Sequence, residues 1–207
     1  MGNANFSKNN FFKSAQFIGS FQSIENIPNF NKLTECCFVG RSNVGKSSII
    51  NSITNNNKLA KTSKMPGRTQ SINLINIKNN INIVDLPGYG YAKISKVLQN
   101  HLSELIQNYI EFRINLKHVF VLIDTKVGIK NSDIDMFDLL NFSKKKFNVI
   151  LTKIDKCPKT FIENQKKSIM SLMNNYPVFF SKIFFTSAKT KYGIIDIQKE
   201  LYKISQE

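Results

Sequence analysis

The stretch Cys36-Cys37-Phe38-Val39-Gly40-Arg41-Ser42-Asn43-Val44-Gly45-Lys46-Ser47-Ser48 decides the fold. A short apolar run that reads as a buried strand ends at Gly40, and a helix-like stretch from Lys46 to Ile53 follows it. Between them stands the pattern G-x-x-x-x-G-K-S, in the strand–loop–helix setting that a phosphate-binding loop requires. Glycines let the chain curl so that successive backbone N–H groups point inward at phosphate oxygens. The helix beginning near Gly45 adds the positive end of its dipole. Within this cradle of Gly40, Arg41, Ser42, Asn43, Val44, Gly45, Lys46, Ser47 and Ser48, Lys46 is expected to neutralise the terminal phosphates. Ser47 is expected to offer its hydroxyl to Mg²⁺.

Three further segments gain meaning from that loop. Asp85-Leu86-Pro87-Gly88 follows the apolar run Ile81–Val84. A carboxylate at the C-terminal end of a strand beside the loop strand is where Mg²⁺ is held, and Gly88 supplies an N–H that can approach a γ-phosphate. Alone, Asp85 and its Pro-Gly sequel would be an ordinary strand-ending turn. Upstream, the polar and basic segment around Gly67-Arg68-Thr69-Gln70-Ser71 leads into a strand. Without the flanking motifs it is a surface loop. With them, Thr69 becomes a ligand for Mg²⁺ and a contact for the γ-phosphate, ordering the segment before hydrolysis and releasing it afterwards. Lys46, Thr69 and Gly88 are thus the catalytic candidates, and Ser47, Thr69 and Asp85 the metal ligands.

Thr152-Lys153-Ile154-Asp155 follows the strand-like run Asn148–Leu151 and matches [NT]-K-x-D. Asp155 can accept two hydrogen bonds from the N1–H and N2–H₂ edge of guanine; adenine has no such donor pair. A site built on hydrogen bonds can reject a non-matching analogue by about 10⁴–10⁵. Lys153 would lay its aliphatic stem along the base. Thr186-Ser187-Ala188, after the last strand-like run, can offer a backbone N–H to the guanine O6, a weak signal by itself.

The rest of the 207 residues sets the bounds. Such a length suits one domain with a short appendage. Lys plus Arg number 29 against 14 Asp plus Glu, a net charge of +15. That surplus points to a polyanion, nucleic acid or an acidic membrane surface, although abundant Lys, Asn, Ile and Phe also fit drift in an AT-rich genome. No apolar run reaches the roughly 20 residues that span a bilayer. The N-terminus lacks the apolar core of a signal peptide, and Phe6 breaks the myristoylation pattern. Three cysteines, with Cys36 and Cys37 adjacent, form neither a disulfide framework nor a zinc set, so a reducing cytoplasm is expected.

Short apolar runs alternating with longer amphipathic ones predict an α/β domain over 34–207, preceded by an arm over 1–33 that packs on or flanks it. An edge strand in the arm and burial of Phe11, Phe12, Phe17 and Phe21 are expected. Ser71–Ile77 and Ile81–Val84, separated by Lys78-Asn79-Asn80, read as a hairpin. Helices are expected over Leu98–Phe112, from a cap at Ser132 to about Phe142, from Pro158 to Met173, and over Gly193–Ile204. His101 and His118 are expected to be satisfied structural residues. Lys144-Lys145-Lys146 reads more readily as a solvated helix-end patch than as an RNA contact.

Taken together, GRSNVGKSS, SKMPGRTQSINL and DLPGYGYA, in that order and spacing, resemble the EngB (YihA/YsxC) family of bacterial ribosome-assembly GTPases, within the translation-factor-related small GTPases. The resemblance spans about residues 30–205. It implies a Ras-like P-loop fold with a mixed, mostly parallel six-stranded sheet flanked by helices. It also implies GTP/GDP and Mg²⁺ binding, a partnership with the large ribosomal subunit or its precursor, and a role in cell division and septation. Ras-like enzymes orient water with a Gln just after the DxxG glycine; Tyr89 occupies that place, so slow hydrolysis is expected. Asn43, at the position used by potassium-activated relatives, suggests K⁺ as an auxiliary ion. A monomer is the default. A GTPase acting mainly on a septation protein is the alternative; a metabolic P-loop kinase is disfavoured by Thr152–Asp155.

Overall fold

The computed structural model describes residues 8–30, 33–60, 70–90 and 94–207. Its strands are Ala15–Phe21 (β1), Thr34–Gly40 (β2), Ile72–Ile77 (β3), Ile81–Asp85 (β4), Leu116–Asp124 (β5), Lys146–Thr152 (β6) and Phe180–Phe185 (β7). The helices are Lys8–Lys13 (α1), Lys46–Thr54 (α2), Lys96–Phe112 (α3), Asn131–Phe142 (α4), Lys159–Met173 (α5) and Ile194–Ile204 (α6). The strands form one sheet in the order β1-β3-β4-β2-β5-β6-β7. β1 and β3 are antiparallel, as are β3 and β4; the remaining neighbours are parallel.

Seven strands replace the expected six because β1, from the N-terminal region, pairs along β3 from Ala15↔Ile77 to Phe21↔Ile72. Interior parallel strands have both faces covered and therefore read as unbroken apolar runs. β2 shows this: Cys36 and Phe38 face one core with Ile49, Ile50 and Ile53 of α2, while Cys37 and Val39 face the other with Tyr109 of α3 and Phe137 of α4. Phe38 stacks on Phe120 at 4.9 Å, and Phe137 stacks on Phe147 at 5.5 Å, one pair in each core. The first core is covered by α1, α2 and α6 and the second by α3, α4 and α5. No described helix is long and apolar enough to cross a membrane.

The hairpin turns on Lys78 and Asn79, both left-handed at φ 51° and 50°, the pairing that matches strand twist. Phe11 and Phe12 are buried in the α2/α6 core, Phe11 edge-on to Tyr202 at 5.3 Å. Phe21 is partly buried against the other core. Phe17 departs from expectation: it is 47% exposed, because β1 is an edge strand. Ser132 does not cap α4 either. The helix starts two residues earlier, at Asn131 with Lys130 as its N-cap, and the Asp133 carboxylate accepts the Lys130 N–H at 2.8 Å.

His118 lies within β5 rather than beside it, and its Nε2 is buried without a hydrogen-bond partner. It is therefore structural but not satisfied. Burial holds its pKa down to about 4 from the ordinary 6.5, with Lys146 and Lys182 adding to the effect. The folded state keeps the ring neutral, whereas the unfolded chain protonates it below pH 6.5. This contribution to stability is thus complete above pH 6.5 and lost as pH falls toward 4. Denaturant titrations at pH 7 and 4.5 should show a loss about 2 kcal/mol larger in the native chain than in His118→Leu. Parallel losses would contradict it.

Candidate functional site

The loop Gly40–Lys46 leaves the C-terminal end of β2 and enters α2. Its curl is built from left-handed residues, Asn43 at φ 62° and Gly45 at φ 103°; the latter conformation suits only glycine. Gly40 is demanded by packing as well. A Cβ there would stand 2.7 Å from the Leu122 carbonyl oxygen of β5. Lys46, at the first turn of α2, is buried, and its ammonium pairs with Asp85 Oδ1 at the end of β4. Asp85 Oδ2 is buried with no hydrogen-bond partner. Ser47 is half-buried and Ser48 exposed.

The segment after β4 is tied to the same loop. Leu86 N–H donates to Phe38 O at 3.2 Å and Tyr89 N–H to Gly40 O at 3.3 Å, while Ser42 N–H donates to Tyr89 O at 3.1 Å. Gly88 and Pro87 are buried between these contacts. Tyr89 turns its ring inward, and its hydroxyl donates to Asp133 Oδ1 of α4 at 2.8 Å. Burial and the Asp133 charge push the phenol pKa well above its usual range. The side chain of Arg41 also leaves the cradle: Nε pairs with Asp133 Oδ2 at 3.0 Å and the guanidinium donates to Gly128 O at 2.6 Å. Burial raises the pKa of Asp133, against the pull of Tyr89, Lys130 and Arg41. Arg41 can therefore serve the cradle only through its backbone.

Thr152–Asp155 is interlocked with the cradle from the other side. The Thr152 hydroxyl donates to Val44 O at 2.7 Å. Lys153, left-handed at φ 58°, sends Nζ to Asn43 O at 2.7 Å and to Asp124 at 2.8 Å. Its stem crosses the loop so closely that a Cβ on Gly45 would lie 3.6 Å from Lys153 Cε. Ile154 N–H donates to Thr186 O at 3.2 Å, which brings the Thr186-Ser187-Ala188 loop alongside. Thr186 and Ser187 are buried and Asp155 is exposed. Gln70 and Ser71 precede β3, whose Asn73 pairs with Asp85; the Ser71 hydroxyl donates to Asn73 Oδ1 at 3.4 Å. Gly67, Arg68 and Thr69 lie outside the described residues.

The sequence reading missed Asp124, Gly128 and Asp133. A strand-ending Asp124 just ahead of Thr125 was a signal that could have been read. Asp133 inside an amphipathic helix gave none.

A mostly parallel sheet with this loop after β2, DxxG after β4 and TKxD after β6 defines a P-loop GTPase. The matching family model, described as 50S ribosome-binding GTPase, covers residues 35–153. Over 194 residues the chain is 38% identical to the probable GTP-binding protein EngB of Rickettsia bellii, covering 93% of this chain and 89% of that protein. It is 36% identical over 194 residues to the protein of the same name from Hyphomonas neptunium, covering 92% and 88%. A crystal structure of a probable GTP-binding protein engB superposes with TM-score 0.65 at 26% identity, covering 84% of this chain and 99% of that one. The fold is shared with Era in complex with MgGDPNP and nucleotides 1506–1542 of 16S ribosomal RNA, with TM-score 0.62 at 24% identity over 84% and 57% of the chains. The chain belongs to the EngB family of GTP-binding proteins and is a GTP-hydrolysing enzyme.

Proposed function

We propose that the site takes GTP and GDP through the residues named above and switches the protein on and off the large ribosomal subunit during its assembly. Backbone amides of Gly40–Ser48 and the Lys46 ammonium bind the phosphates, Gly88 N–H and Thr69 contact the γ-phosphate, and Asp155, backed by Thr186–Ala188, reads guanine. The observation that carries this reading is the interlock of Thr152 and Lys153 with the carbonyls of Val44 and Asn43. It fixes the distance between the base reader and the phosphate cradle.

The residues present fit Mg²⁺. Asp85 keeps one buried carboxylate oxygen without a hydrogen-bond partner while the other pairs with Lys46, the residue before Ser47, and Thr69 would complete the set. Ser47, Thr69 and Asp85 would hold the ion, which would supply positive charge against the phosphates. K⁺ near Asn43 is a further element of the proposal, checked by comparing turnover in sodium and potassium buffers. The hydroxyl of Tyr89 is committed to Asp133, so this side chain does not orient water. Hydrolysis is then slower than in an arginine-finger-assisted GTPase by about 10³–10⁵. Such an enzyme times a cycle in the cytoplasm, with residues 34–207 as the GTPase unit and 1–33 as an arm. Through ribosome assembly it would support cell division and septation.

Support for the ribosomal partner comes from the family description and the charge of +15. Gradient sedimentation with isolated subunits tests it. Co-migration with the large subunit is expected with a GTP analogue, falling with GDP or ATP and falling steeply with salt. Co-migration indifferent to nucleotide would overturn the switch.

A further inference from the structure

Far from the nucleotide site lies a second charged surface. The cradle, DxxG and TKxD all follow the C-terminal ends of strands, so the N-terminal ends of β5, β6 and β7 mark the opposite end of the sheet. With seven residues in β6, the two ends are separated by roughly 20–25 Å. Four large apolar side chains are exposed there: Phe112 at 63%, Ile114 at 85%, Phe142 at 78% and Val178 at 74%. Exposed apolar residues are ordinary when scattered, but these four occupy the three neighbouring connections into β5, β6 and β7.

Contacts join these connections into one surface. The Tyr176 hydroxyl donates to Asp138 Oδ1 at 2.7 Å; Phe142 lies one helical turn beyond Asp138, which sets it beside the connection carrying Val178. Lys145 Nζ donates to Leu116 O at 3.4 Å, which joins the α4–β6 connection to the start of β5. Beside them stand Lys117 and Lys144, both exposed; Lys146 leaves β6 on the opposite face of the sheet, toward His118. Among the described residues none of them, nor Lys145, forms an ion pair with a carboxylate. Lys145 has its pKa lowered by burial and further by Lys117, which sets these two charges close together. A helix-end dipole would account for Lys144 but not for Lys117, which stands on β5.

We propose that this far surface binds an unpaired RNA strand, with phosphates on Lys117 and Lys144 and a base stacked on Phe142. The choice of RNA as the polyanion rests on the ribosomal reading above; the surface itself does not. Uncompensated positive charge interleaved with exposed aromatic rings is the combination that grips single strands, since every base offers a face to stack while its phosphates offer charge. An acidic membrane surface would also accept lysines beside apolar residues; the ribosomal reading favours RNA, and the vesicle arm of the test separates the two.

The test is titration of the full chain with an unstructured twelve-nucleotide RNA, the same strand annealed to its complement, inorganic polyphosphate, and vesicles containing acidic lipid. The single strand should bind most tightly, and its log affinity should fall with log salt at a slope of about −1.4 for two contacts. Phe142→Ala should weaken the single strand about tenfold and leave polyphosphate unchanged. Lys117→Gln and Lys144→Gln should each flatten the slope by about 0.7. GDP affinity should be unaltered in all three variants, which reports that they fold. Equal binding of single strand and duplex would overturn the proposal, as would indifference to Phe142→Ala or a vesicle affinity that alone responds to it. The outcome is separable from that of the sedimentation experiment. Subunit binding that persists in these variants without oligonucleotide binding removes the far surface and keeps the ribosomal partner. Oligonucleotide binding that depends on Phe142 without subunit binding does the reverse.

Discussion

Asp155→Asn is expected to abolish the preference for guanine nucleotides. The carboxylate is exposed on a short 3-10 turn, so its replacement leaves the fold intact. Two hydrogen bonds to a charged acceptor are at stake, each worth about 1.5–3 kcal/mol. GDP should therefore bind about 10²–10⁴-fold more weakly, while ADP, which never used those bonds, should change little. Titration of both nucleotides with Mg²⁺ against native and variant chains reads the ratio. If the variant kept the native preference, the purine edge would have to be read elsewhere.

Lys46→Met carries the second large effect, on stability and on phosphate binding together. The lysine and Asp85 are both buried, 8% and 1% exposed, so the variant strands a carboxylate without its counter-charge. Losing one partner of a buried pair costs about 3–5 kcal/mol. For a chain of this size that corresponds to a fall in melting temperature of about 10 °C. Lys46→Met/Asp85→Leu removes both charges and should recover most of the stability while still failing to bind nucleotide. Recovery of both would show that the lysine is structural; loss of neither would dissolve the pairing argument.

Much of this was legible in the chain because the signals are local. The cradle, DxxG and TKxD depend on residues within a few positions of one another, and each sits where the structure places it, at a strand's C-terminal end. The hairpin at Lys78-Asn79 and the helix over 159–173 follow from turn and proline chemistry of equally short range. What escaped depends on contacts between distant segments. Arg41 reads as one more cradle residue until Asp133, 92 positions later, takes its guanidinium. Phe17 reads as core because aromatic residues usually are, yet its position on an edge strand is set by β3, far along the chain. Asp133 itself sits among apolar neighbours of α4 with no local sign that a tyrosine and an arginine converge on it.

The N-terminal strand has a consequence beyond packing. β3 carries Ile72, Leu74, Ile75 and Ile77 and is buried apart from Asn73, the kind of strand that recruits partners when its backbone is bare. β1 occupies that backbone and ends the sheet with a bulge between Phe17 and Gly19, which spoils the template for any further strand. With β1 in place, the backbone of β3 is paired on both sides and offers no bare edge to another chain.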